Sequence, residues 1–140
     1  MICRLAIILL IFDLSLRVKA CSCMPVNATY VFEHSDFVSR VLVERAERTS
    51  GNFPASLMSD EFRPPEMIYT VRHLDVYKSP NSTLDIPTQV RTPGDSAACG
   101  VNLSEGQTIV LAGSWTPSHL SIFLCSHGSI SQEEAERLRI

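Results

Sequence analysis

Val18-Lys19-Ala20-Cys21-Ser22-Cys23-Met24-Pro25 is the stretch on which the reading of this chain turns. Its first three residues close a targeting pattern. Arg4 supplies a short positive region, and Leu5 to Leu16 is apolar apart from Asp13 and Ser15. That run is shorter than the roughly 20 apolar residues of a spanning helix. Val18 and Ala20 occupy the two positions that a signal peptidase reads, so cleavage is expected after Ala20. Residues 1–20 read as a signal peptide and 21–140 as one secreted, extracellular domain that begins with the free amine of Cys21.

Cleavage changes the cysteine count. Cys3 leaves, and Cys21, Cys23, Cys99 and Cys125 remain. An even number in an oxidising compartment predicts two disulfides. Neighbours as close as Cys21 and Cys23 rarely bridge each other, so each reaches a distant partner, although spacing does not say which. A bridge closing a loop of roughly 80 to 100 residues contributes on the order of 4 kcal/mol by restricting the unfolded chain. A domain of about 120 residues also buries a core of its own. Zinc ribbons use paired C-x2-C knuckles. Here a CxC pair is followed by two isolated cysteines, so no metal or cofactor of its own is expected. Three sequons, Asn27-Ala28-Thr29, Asn81-Ser82-Thr83 and Asn102-Leu103-Ser104, predict N-glycan acceptors at Asn27, Asn81 and Asn102.

The whole chain has 12 basic and 15 acidic residues. Loss of Arg4, Arg17, Lys19 and Asp13 with the leader takes these to nine and fourteen, a net charge of −5. No basic block stands out, which argues against nucleic acid and anionic lipid as partners. No later apolar run is long enough to insert in a membrane. Nothing points to an oligomer, and a monomer is expected.

After Pro25 the pattern predicts a short helix from Thr29 to His34. Strands are expected over Phe37–Ala46, Met67–Tyr77, Leu84–Arg91, Thr108–Trp115 and Leu120–Cys125. Pro87 marks the third as an edge strand. Glu47 to Pro65, with Gly51, Pro54, Pro64 and Pro65, reads as a long connecting loop. Ser131 with Glu134 three residues on is a capping box that opens a terminal helix. Five short strands with flanking helices predict an all-β fold, a five-stranded OB-fold-like barrel with short N-terminal and C-terminal helices.

Catalytic patterns are missing. His34, His73, His119 and His127 are scattered and form no HExxH. His73 lies in a strand and reads as structural. Ser104 and Ser114 lack a nucleophile-elbow context. Glu133 and Glu134 are adjacent helix-start charges rather than an acid/base pair. The chain does not read as an enzyme.

Cys-Ser-Cys-Met-Pro directly behind a signal peptide resembles the tissue inhibitors of metalloproteinases, a netrin-like OB-fold group. The resemblance runs on through Phe32 to Val38, Tyr69 to Lys78, Ser96-Ala97-Ala98-Cys99-Gly100, Leu111-Ala112-Gly113 and Leu124-Cys125-Ser126. It is to a single inhibitory domain of invertebrate type, without the second subdomain of vertebrate members. It implies pairings of Cys21 with Cys99 and of Cys23 with Cys125. It also implies a secreted inhibitor of secreted or matrix metalloproteinases that chelates the target's catalytic zinc through the α-amino and carbonyl groups of Cys21. The zinc comes with the bound protease. Ser22 would enter the primary specificity pocket, Cys23, Met24 and Pro25 would follow the substrate groove, and Ser96, Ala97 and Ala98 would complete the contact. Relatives usually carry a third bridge, whose first cysteine is replaced here by Glu33. Its loss would leave the terminal helix less firmly tied. A glycan on Asn27 would flank the wedge. The alternative is an extracellular netrin-like binding module without inhibitory activity, using the Glu47–Pro65 loop.

Overall fold

The computed structural model describes residues 21–51, 64–80, 85–126 and 130–139. The expected leader over 1–20, the sequon residue Asn81 and the centre of the 47–65 connection lie outside the described residues. Along the chain come α1 (Ala28–His34), β1 (Phe37–Arg48), β2 (Glu66–Lys78), β3 (Gln89–Pro93), a single 3-10 turn (Ser96–Ala98), β4 (Thr108–Trp115), β5 (Leu120–Ser121) and α2 (Gln132–Leu138). The five strands close into a barrel in the order β1-β2-β3-β5-β4, and β4 pairs back onto β1. Neighbours are antiparallel except β3 and β5, which run parallel with Val90 opposite Leu120 and Arg91 opposite Ser121. This is the five-stranded all-β barrel with flanking helices that the strand spacing implies.

Two apolar clusters hold it. Phe37, Val41 and Val43 of β1, Tyr69 and Val71 of β2, Val90, Leu111, Leu120 and Ile122 fill the barrel. Val38, Tyr77, Val110 and Ala112 belong to a second cluster, with Ala28, Val31 and Phe32 of α1 and with Ile130 and Ala135 at α2. β1 and β4 are therefore covered on both faces, which explains their nearly continuous apolar runs. Register shifts at Val38/Ser39, Arg40/Val41 and Val43/Arg45 let the long β1 bend between its two partners.

Both helices are short and capped. Asn27 Oδ1 accepts from the Tyr30 N–H at 2.8 Å, and Ser131 with Glu134 forms a complete capping box. Near Glu33, the position where the resemblance implies the first cysteine of a third bridge, Lys78 ties the helix end. Its Nζ donates to the Phe32 carbonyl at 2.7 Å and to the Glu33 carbonyl at 2.9 Å. Lysine suits these orphan carbonyls at a helix C-terminus. The terminal helix is held by burial of Ala135 and by Arg139, which lies 5.9 Å from the Tyr77 ring centroid.

The third and fifth strands depart from expectation. Of the expected Leu84–Arg91 strand, Leu84 lies outside the described residues; β3 begins at Gln89 and is not an edge, since it pairs with both β2 and β5. Pro87 has no N–H to give a ladder, and its carbonyl accepts from His73 Nε2 at 3.0 Å, so pairing starts beyond it. β5 ends at Ser121 rather than Cys125. Ile122 N still donates to the Arg91 carbonyl, but Leu124 N turns to the carbonyl of Cys99 and Ser126 N to that of Phe123. Among the described residues, no helix is long and apolar enough to cross a membrane.

Candidate functional site

Cys21 to Asn27 has no regular structure, yet covalent bonds fix its start. Cys21 is bonded to Cys99 with Cα atoms 5.4 Å apart, and Cys23 to Cys125 with Cα atoms 5.2 Å apart. The sulfurs of Cys21, Cys99 and Cys125 lie within 4.8 Å of one another, so the two bridges sit side by side. Among the described residues they form the one group with metal-ligand spacing. Their sulfurs are spent in disulfides and offer no thiolate to an ion.

The downstream half of the site is a built turn. Asp95 Oδ1 accepts from Ala97 N at 2.8 Å, and the Asp95 carbonyl accepts from Ala98 N and Gly100 N. Cys99 then takes a left-handed backbone, φ 60 and ψ 31, which costs a non-glycine residue about 1–2 kcal/mol. The bridge and three hydrogen bonds offset that strain: the Cys99 N–H donates to Ser96, the Cys99 carbonyl accepts from Leu124, and Gly100 is tied back to Asp95. A side chain at position 100 has no room, because a Cβ there would stand 2.0 Å from the Pro93 carbonyl oxygen. Beyond the turn, Val101 N donates to buried Thr92 Oγ1 at 3.0 Å. Tyr69 reaches from inside the barrel, donating to the Val101 carbonyl and accepting from Leu103 N.

The structure thus brings the two sequence segments together as one edge. Ser22, Cys23, Met24 and Pro25 are exposed on one side of the bridges, and Ser96, Ala97 and Ala98 are exposed on the other. Met24 projects furthest, with 82 % of its surface free. Asn27 and Asn102 are both exposed; Asn27 caps α1 beside the edge, and Asn102 follows the buried Val101.

Three apolar residues of this neighbourhood carry no contact role in the sequence reading. Phe123 and Leu124 are 48 % and 40 % exposed, and Tyr30 is 51 % exposed. Phe123 stands between two grooves. One, of about 340 Å3, is lined by Met24, Val26, Tyr30, His34 and Cys125 as well as Phe123. The other, of about 390 Å3, runs past Pro93, Asp95, Ala98 and His119. Part of the signal was present: alternation from the buried Ile122 turns Phe123 outward, whereas Leu124 is exposed because the chain leaves the strand there and its N–H turns to the Cys99 carbonyl.

The chain matches the family model described as tissue inhibitor of metalloproteinase over residues 19–134. It is 33% identical over 107 residues to metalloproteinase inhibitor 2 of Rattus norvegicus, covering 74% of this chain and 44% of that one. It is 31% identical over 96 residues to a tissue inhibitor of metalloproteinase of Drosophila melanogaster, covering 67% of this chain and 40% of that one. A candidate metalloproteinase inhibitor of Caenorhabditis elegans is 30% identical over 107 residues, 76% of this chain and 66% of its own length. The chain spans less than two thirds of each of these relatives.

Proposed function

The chain belongs to the tissue inhibitor of metalloproteinase family, and from that premise we propose that it is a secreted inhibitor of zinc metalloproteinases acting through Cys21. Removal of residues 1–20 frees the α-amino group. The neutral amine and the Cys21 carbonyl oxygen then chelate the protease's zinc in a five-membered ring and displace its water. Ser22 enters the specificity pocket beside that zinc. Met24 and Pro25 lie along the substrate groove, and Ser96–Ala98 makes the second contact.

The observation that carries this reading is the double tether. A free chain end ordinarily loses its conformational freedom on binding and weakens the complex. Here two disulfides within three residues hold the segment before any protease arrives. The exposure of Ser22 to Pro25 and of Ser96 to Ala98 around those bridges supports the same edge.

The test uses the mature chain starting at Cys21 and a second form with one alanine added in front. The extension moves the amine out of chelating position and leaves both bridges in place. Loss of inhibition of a metalloproteinase panel by at least about a hundredfold is expected, corresponding to about 2.7 kcal/mol. Equal potency of the two forms, or no inhibition by either, sinks the proposal. N-terminal sequencing of secreted protein checks the start at Cys21.

A further inference from the structure

The groove between the N-terminal segment and α1 takes no part in zinc chelation. Three of the five large apolar side chains exposed among the described residues line it: Met24, Tyr30 and Phe123. The Tyr30 ring is stacked on His34, with centroids 3.9 Å apart and planes 19° apart. His34 Nδ1 lies 2.9 Å from the Tyr30 carbonyl, which steadies the pair. Helical side chains lean toward the helix N-terminus. The stacked rings therefore lean toward the turn that Asn27 caps.

Asn27 opens the sequon Asn27-Ala28-Thr29, and both Asn27 and Thr29 are exposed. Its Oδ1 is committed to the Tyr30 N–H at 2.8 Å. The cap thus uses the oxygen and leaves Nδ2, the atom that N-glycosylation uses.

We propose that Asn27 carries an N-linked glycan whose innermost N-acetylglucosamine packs on the Tyr30–His34 ring pair and walls off the groove beside Met24. Transfer joins C1 of the sugar to Nδ2 in place of one amide hydrogen. The lipid pyrophosphate of the oligosaccharide donor is the leaving group, and the proton goes to solvent. The product remains a secondary amide with Oδ1 intact, so the helix cap survives. The C–H face of the pyranose meets the electron-rich face of the tyrosine ring. With this flank occupied, a protease that takes the exposed edge must leave room for the sugar beside Met24. The glycan thereby selects proteases whose clefts are open beside the Met24 position. That selectivity rests on the inhibitor reading; the sugar seat itself does not.

The experiment uses the full chain secreted from a eukaryotic host with Thr83→Ala and Ser104→Ala, which remove the other two sequons. Peptide N-glycosidase removes the glycan and converts Asn27 to aspartate, an equally good cap. Mass spectrometry is expected to show the glycan mass before treatment and the conversion at position 27 after it. Deglycosylation should lower the melting temperature by about 2–4 °C, and by less than about 1 °C in a Tyr30→Ala version. An unoccupied Asn27 in secreted protein, or equal shifts with and without the ring, overturns the seat. Against a metalloproteinase panel, the deglycosylated form should gain about tenfold or more on some members and nothing on others. A uniform response overturns the selectivity. Failure of both forms to inhibit anything sinks the inhibitor reading, while the seat is still decided by the melting data.

Discussion

Tyr69 is fully buried in the barrel, where its hydroxyl donates to the Val101 carbonyl at 2.9 Å and accepts the Leu103 N–H at 3.1 Å. Those two backbone groups belong to the segment that leaves the Cys99 turn. Tyr69→Phe keeps the ring and strands both groups without partners, which is expected to cost about 1–3 kcal/mol. Urea unfolding measures that loss, and amide exchange at Leu103 should quicken with it. His73 behaves differently. Its ring bridges Ser39 Oγ at 2.8 Å and the Pro87 carbonyl at 3.0 Å. Burial pushes its pKa below the usual histidine value, opposed by the hydrogen bond to Pro87. The unfolded chain takes up this proton near pH 6.5, and the folded chain only at lower pH. The stability it contributes is therefore complete above about pH 6.5 and is lost as pH falls toward the lowered folded value. Urea midpoints at pH 7.5 and 5.5 should fall further for wild type than for His73→Gln. The strand pattern made His73 legible as a structural residue. It did not reveal Tyr69's task, because partners 32 and 34 residues away leave no trace in a period-two pattern. The proposed chelating amine adds a third residue-scale expectation. Its ordinary pKa is about 7.7–8.0, so inhibition should weaken between pH 8 and 6 as the neutral form becomes scarce. A flat profile with the protease still active would count against amine coordination.

At the scale of elements, α2 shows local chemistry that can be read directly. Ser131 accepts from Glu134 N, and Glu134 accepts from Ser131 N and Oγ. Ser131→Ala should cost about 1 kcal/mol, visible as faster amide exchange in α2. The hydrogen bonds from the Ser131 backbone and then its side chain hold the Glu134 carboxyl below its usual pKa. Its support for the helix is present above about pH 4.5 and lost as acid protonates it below that range. Capping is written in four neighbouring residues, so the sequence announces it. Barrel closure is not local, and there the sequence was less informative. Pro87 correctly marked a break, but the break lies before the strand, and the strand beyond it is paired on both sides. The β5 run looked longer than it is because Ile122, Phe123 and Leu124 are all β-formers, whereas the chain there turns toward the Cys99 carbonyl. Gly113 is the clearest case of a long-range constraint. A Cβ there would stand 2.1 Å from the Ser121 carbonyl oxygen, so Gly113→Ala should open the β4–β5 pair and cost about 1–3 kcal/mol. A thermal melt reads it.

For the whole molecule, strand number and spacing made the barrel legible, while the cysteine count alone left three pairings. Cys21 and Cys23 are bonded to partners 78 and 102 residues downstream. Replacing both Cys23 and Cys125 by alanine removes the longer loop closure. It should cost on the order of 4 kcal/mol, measurable as a lowered urea midpoint. Such span also orders events during synthesis. Chains grow at about 5–20 residues per second, so Cys21 waits roughly 4 to 16 s before Cys99 is made, and Cys125 comes later still. Through that interval, if residues 1–20 are removed as proposed, Cys21 and Cys23 have only each other as thiol partners within the molecule. The Cys21 bond can form only once β1 to β3 have been made, and the Cys23 bond only after all five strands. The terminus that is proposed to reach a protease's zinc is thus synthesised long before either of its fastening partners. A chain that stalls before Cys125 leaves Cys23 without its partner, so the double tether is complete only when all five strands have been made.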